Sequence, residues 1–346
     1  MSHKKWFVLI FALLALAAVP VMGLAQGAGA PAGQGSGRGR GSGSGRGGGS
    51  GSGGGSGSGQ RAAAPPAPIT IKQVKPGLYM VINGGGNSTV RVTDQGVVVV
   101  DTKNLGDQFY NDLMAQIKTV TTQPVKFAVV THVHQDHAGN IERFQKAGVP
   151  VIANAGLNQN LKVGGPNGKG YEAAQGKPAE ANAPYTRTRK IKLGKAQVLV
   201  AHFDAGHTAG DSVVFFPDEK VVSLGDEFTA IGPNCDYPMG GSILGWAKSL
   251  QQVLKWDFDT AIPGHGNDPM TKADVITFQK RMDEIGKTAI TLVKTGTPKD
   301  QLRQQIQMKL GPDMGNWQMT GVVNDMRLDM FYDEISKAAK SGKSSD

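Results

Sequence analysis

The feature that most constrains this chain is a run of metal-competent side chains at the end of an apolar segment. Phe127-Ala128-Val129-Val130 reads as a buried strand. It runs directly into Thr131-His132-Val133-His134-Gln135-Asp136-His137. In extended chain, His132 and His134 stand two apart and so share a face. Asp136 and His137 fall where the chain turns into a helix expected over 139–146, and they can reach a second point close by. Imidazole nitrogen with carboxylate oxygen suits zinc, and also iron or manganese.

Three further segments repeat the arrangement of an apolar run ending in a potential ligand. His207 stands in Ala205-Gly206-His207-Thr208-Ala209-Gly210-Asp211, after the apolar stretch 196–201. Asp226 closes Val221-Val222-Ser223-Leu224-Gly225, and His265 lies in Ile262-Pro263-Gly264-His265-Gly266. Glycines beside each of them permit tight turns. Of the remaining histidines, His3 lies in a segment expected to be removed. His202 has no motif around it and reads as a satisfied, partly buried side chain.

On these motifs the chain resembles the metallo-β-lactamase superfamily of hydrolases, which includes glyoxalase II and the subclass B3 lactamases. The resemblance runs from about residue 69 to 266. It implies two zinc ions per chain, with iron or manganese as substitutes. One would be held by His132, His134 and His207, the other by Asp136, His137 and His265, with Asp226 bridging. Asp101, closing Val97-Val98-Val99-Val100, matches the family's first motif, whose carboxylate supports the site from behind. The reaction implied is hydrolysis of a β-lactam, lactone or thioester, with water activated at the metals attacking the acyl carbon. Asp136 is the candidate catalytic residue, accepting the released proton.

One departure discriminates within the family. The B1 lactamases place Cys where this chain has Asp226 and Arg where it has His137, whereas B3 lactamases keep His137 but generally lack an acid at the bridging position. Asp226 therefore points towards glyoxalase II-like thioester hydrolases and lactonases. A second alternative is a persulfide dioxygenase, which shares the motif but uses one iron.

Other residues weigh less. Asp211 reads equally as an acceptor for an imidazole N–H or as the cap of a turn. Cys235, the one cysteine, allows no internal disulfide and reads as a bland loop residue. Tyr237, in the same loop over 232–241, is expected to pack, with a hydroxyl directed at substrate as the alternative.

The N-terminus reads as a secretory signal over residues 1–25. Lys4 and Lys5 precede an apolar run from Trp6 to Met22, and Gly23-Leu24-Ala25 offers a cleavage site. A periplasmic or secreted protein is expected, with no stable membrane span after cleavage; an uncleaved membrane anchor is the alternative. No cysteine stands at the end of the run, so a lipoprotein is not expected. Residues 26–68 form a linker of Gly, Ser, Arg, Ala and Pro with almost nothing to bury, expected to be disordered. Six of the nine net positive charges precede residue 62, so the basic balance says little about the enzyme surface. The tail could touch anionic surfaces, and no specific nucleic-acid partner is expected; the partner is a small-molecule substrate.

The remainder is long enough for one large domain. Strands are expected over 77–82, 88–93 and 97–101, with helices over 111–119 and 243–255. The fold class is α/β, which the resemblance specifies as a four-layer αβ/βα sandwich over 69–270. A surface excursion is expected over 163–183. Residues 271–346 read as a C-terminal helical extension, with helices over 272–294, 298–310 and 322–340. It either packs on the sandwich or caps the substrate site.

Overall fold

The computed structural model describes residues 67–163 and 177–342. The signal segment, nearly all of the linker and the centre of the expected excursion lie outside the described residues.

The chain opens as an antiparallel meander of β1 (Thr70–Lys75), β2 (Leu78–Ile82), β3 (Ser88–Thr93) and β4 (Gly96–Val100). Helix α1 (Asp107–Val120) carries it to β5 (Val125–Val129), parallel to β4. Two short helices, α2 (Gln135–Ala138) and α3 (Ile141–Lys146), lead to β6 (Val151–Asn154). After α4 (Ala155–Val163), β7 (Ala183–Tyr185) completes a seven-stranded sheet in sequence order.

A second, six-stranded sheet is built from β8 (Thr188–Leu193), β9 (Ala196–Ala201), β10 (Val213–Phe216), β11 (Val221–Ser223), β12 (Thr260–Ile262) and β13 (Met270–Thr271). Its one parallel pair, β11 with β12, is bridged by α5 (Ile243–Val253). A β–α–β crossover of this kind lays its helix on the sheet face.

Side-chain alternation explains the layering. In β4, Val98 and Val100 face a core shared with the second sheet, while Val97 and Val99 face a core shared with α1, α3 and α4. In β10, Val214 and Phe216 join the inter-sheet core, whereas Val213 and Phe215 pack towards the helices of the other side. Uninterrupted apolar runs such as Val97–Val100 are required where a strand is buried on both faces. The result is the expected α/β sandwich of four layers, with helices outside both sheets.

The C-terminal helices α6 (Lys272–Lys294), α7 (Lys299–Leu310), α8 (Met319–Val322) and α9 (Leu328–Ser341) share one core with α5 and the second sheet. Helix α6 starts on a capping box between Thr271 and Asp274, which satisfies its first amides. The continuous helix expected over 322–340 is interrupted. Val323 and Asn324 are extended, and a 3-10 turn over Asp325–Arg327 precedes α9. Among the described residues no helix is long and apolar enough to cross a membrane.

Phe331 on α9 is fully buried in that common core. Phe331→Ala should therefore cost about 3–5 kcal/mol of global stability. Urea unfolding followed by both fluorescence and circular dichroism should still show a single transition. A separate early transition for the helices would contradict the shared core.

Candidate metal centre

Four strand ends deliver the side chains singled out in the sequence to one place. The turn after β5 brings His132, His134, Asp136 and His137; the connection from β9 to β10 brings His207. Asp226 lies in a 3-10 turn after β11, and His265 in the turn after β12. His132, His134, His207 and Asp226 offer donor atoms within 4.8 Å of one another, as do Asp136, His137 and His265. Asp226 faces both groups. Its Oδ2 lies 3.6 Å from His207 Nε2, and its Oδ1 lies 3.3 Å from His137 Nε2 and 3.5 Å from His265 Nε2.

Close approach of backbone makes this possible. A Cβ on Gly264 would stand 2.0 Å from Asp226 Oδ1, so only glycine lets the His265 turn pass so near the carboxylate. Asn87 fixes that turn to the first sheet, donating to Pro263 O at 2.9 Å and Gly266 O at 3.0 Å.

The outward-facing nitrogens decide the tautomers. His137 Nδ1 donates to Asp101 Oδ2 at 2.7 Å, His134 Nε2 to Asp236 Oδ2 at 2.7 Å, and His207 Nδ1 to Asn234 O at 2.6 Å. Thr131 Oγ1 donates to Asp101 at 2.8 Å and can accept from His132 Nδ1 at 3.0 Å. With protons committed outward, the inner nitrogens present lone pairs. These stand tip to tip: His132 Nε2 is 3.1 Å from His134 Nδ1, which is 2.9 Å from His207 Nε2. His137 Nε2 is 3.4 Å from His265 Nε2, which is 3.1 Å from Asp136 Oδ2. Ligands at zinc–nitrogen bond length around a tetrahedral ion are separated by about 3.3 Å. Asp226 Oδ1 is moreover buried and accepts no hydrogen bond within the protein. Both groups therefore fit a cation.

The electrostatics agree. Burial, and then the charge of His137, pushes His132 well below its ordinary pKa; burial and His134 bring His207 down to about 4. The carboxylates overcome burial elsewhere. His137 is raised well above the usual range by Asp136, Asp226 and Asp101, and His265 to about 9 by its hydrogen bond to Asp136. Protons and a cation thus compete for the same lone pairs. His132, His137 and His207 are almost wholly buried, whereas His134, Asp136 and His265 are each about 30% exposed and form the open side.

Asp101 stands behind His137 as expected and also accepts from Thr131 N at 2.7 Å. Asp211 resolves as a turn cap, accepting from Thr208 N at 2.8 Å and from its hydroxyl. His202 is satisfied by Asp211 O at 2.8 Å. Cys235 is buried, with its sulfur 3.9 Å from Gly206 O, and belongs to neither donor group. Tyr237 does not point at the open side: its buried hydroxyl donates to Glu334 at 2.5 Å. Sequence reasoning missed Asp236, although it borders Cys235 and Tyr237 in the loop already singled out.

A family model described as the metallo-β-lactamase superfamily matches residues 81–265. The chain is 30% identical over 187 residues to metallo-β-lactamase IND-1 of Chryseobacterium indologenes, spanning 52% of this chain and 71% of that protein. It is 26% identical over 197 residues to a type 2 metallo-β-lactamase of Elizabethkingia meningoseptica, spanning 54% and 74%. Among solved structures, the sec-alkylsulfatase Pisa1 from Pseudomonas sp. is similar in fold, with a TM-score of 0.60 at 18% identity over 76% of this chain and 50% of that one.

Lys103, also missed, braces the site from beneath. Its fully buried Nζ donates to Val81 O and Gly86 O, both at 2.8 Å. Gly86 lies so close over His137 that a Cβ there would meet the imidazole at 2.2 Å. Burial pulls the Lys103 ammonium down to about 7, against the attraction of Asp101 and Asp136. An unfolded lysine keeps its proton to about pH 10.4, so above pH 7 the unfolded chain binds more protons and this residue makes stability rise with pH. In denaturant titrations between pH 7 and 10, the stability of wild type relative to Lys103→Met should rise with pH, the histidine contributions being common to both. Parallel curves would contradict the depressed ammonium.

Proposed function

The chain belongs to the metallo-β-lactamase superfamily of metal-dependent hydrolases, and from that premise we propose that it is an exported dinuclear zinc enzyme opening an acyl bond. The observation that carries the proposal is the pair of donor groups meeting at Asp226. His132, His134 and His207 would hold one ion, Asp136, His137 and His265 the other, and Asp226 both. Zinc fits a set of imidazoles and carboxylates without thiolate.

Two such ions supply Lewis acidity and bring the pKa of water from 15.7 to about 7. The chain's own residues do the rest. Asp226 sets the separation of the two groups and offsets their charge. Asp136, partly exposed and kept ionised by His137 and His265 against the effect of burial, takes the proton released by the attacking water. Asp101, Asp236 and the Asn234 carbonyl hold the imidazoles in their tautomers, so no reorganisation is needed during reaction.

A β-lactam, a lactone and a thioester remain the substrate candidates. The two relatives are named as β-lactamases, which favours the first. Asp226 in place of Cys favours the others. Export is supported by the basic and apolar N-terminal pattern, and it places the enzyme where antibiotics and lactones are met.

The purified chain, assayed with nitrocefin, a homoserine lactone and S-lactoylglutathione, should turn over at least one, lose the activity to a chelator and regain it with zinc. Zinc at a hundred times its Kd should add about 2.7 kcal/mol of stability per ion, lost on chelation. A metal-loaded chain inert towards all three substrates contradicts the proposed hydrolysis. One iron per chain with oxygen consumption would replace it with the dioxygenase alternative.

A further inference from the structure

The C-terminal helices grip the back of the centre at three points, all within residues 234–242. Cys235 N donates to Val322 O at 3.1 Å. Glu334 on α9 accepts from the hydroxyls of Tyr237 and Ser242. The third point is Arg327, at the end of the 3-10 turn before α9. Its Nη2 lies 3.2 Å from Asp236 Oδ1, and its Nη1 donates to Asn234 Oδ1.

Those two partners have a common task. Asp236 holds His134 through its other oxygen, and Asn234 holds His207 through its carbonyl. One guanidinium therefore braces both residues that orient two imidazoles of the same donor group. The other group is supported elsewhere, since His137 rests on Asp101. Arg327 is itself fixed, with its side chain only 14% exposed. Arg303 of α7 ties its turn in place, donating to Val323 O at 2.9 Å and pairing with Asp325. A planar fork can span two acceptors at once, which a lysine ammonium on a flexible stem cannot reproduce. Arg327 also lies beyond the span matched by the family model.

We propose that Arg327 is a positioning residue, which locks His134 and His207 through Asp236 and Asn234 so that the C-terminal extension sets the cation affinity of the His132–His134–His207 group alone. The inference rests on the reading above that both donor groups hold metal. The helical extension then neither merely packs nor caps substrate; it tensions one half of the centre from behind. Removing Arg327 frees the Asp236 carboxylate to rotate, because its terminal torsion has only a shallow preference. His134 then loses a fixed acceptor.

Zinc affinities of wild type, Arg327→Met and Arg327→Lys, measured by competition with a chromophoric chelator, test this without any substrate. In Arg327→Met one of two bound ions should weaken by roughly 10–100-fold while the other stays within about twofold. Arg327→Lys should recover only part of the loss. In an Asp236→Asn background, Arg327→Met should add little, because both changes cut the same link. Should Arg327→Met fail to fold, Arg327→Lys with the Asp236→Asn comparison decides. Two ions held as tightly as in wild type would overturn the proposal, as would equal weakening of both ions in step with a fall in metal-free stability. A wild-type chain that takes up no zinc contradicts the metal centre itself, and is distinguishable because it appears before any variant is compared.

Discussion

Imidazole lone pairs pressed to within about 3 Å of one another repel, and the protein spends much of its polar architecture holding them there. The inner nitrogens of His132, His134, His137 and His207 are each aimed by a hydrogen bond on the far side of the ring, and those partners are braced in turn. Asp101 receives Thr131 N, Thr131 Oγ1 and His137 Nδ1 from a left-handed backbone conformation at the very end of β4. Lys103, two residues on and also left-handed, ties the Gly86 turn over the same imidazole. Non-glycine residues rarely adopt that conformation, and here two of them aim groups at one histidine. A cation among the lone pairs converts their repulsion into attraction.

The sandwich makes that convergence cheap. Two sheets packed face to face bring the ends of β5, β9, β11 and β12 to one edge, where short turns need only glycine to approach closely. Outer helices cover both sheets, and His134, Asp136 and His265 are the most exposed members of the two donor groups. The buried side of the centre faces the loop that the C-terminal helices grip. Access and support are thus separated: the open side is reached from solvent, and the closed side carries the hydrogen bonds that fix geometry.

Much of this was legible in the sequence, for a physical reason. His132, His134, Asp136 and His137 are close in the chain, and strand periodicity plus a turn suffice to aim them. Runs such as Val97–Val100 announce strands buried on both faces, and the apolar periodicity over 272–294 matches α6 at both ends. The supports were not legible, because they act across long separations. Asp236 meets His134 across 102 residues, and Lys103 meets Val81 across 22. No local pattern marks a lysine that will be buried or an arginine that will span two loop residues. Tyr237 packs as expected, but its partner, Glu334 on α9, lies 97 residues away and has no local signal, whereas the turn-cap reading of Asp211 rests on Thr208, three residues before it. Likewise no proline or glycine marks the break at Val323 and Asn324, whose extended backbone leads into the turn that carries Arg327.

Diffraction from zinc-loaded crystals, collected on either side of the zinc absorption edge, tests the central claim most directly. The account predicts two anomalous peaks per chain, one among His132, His134 and His207 and one among Asp136, His137 and His265, with Asp226 reaching both. A single peak, or peaks away from these side chains, would contradict it.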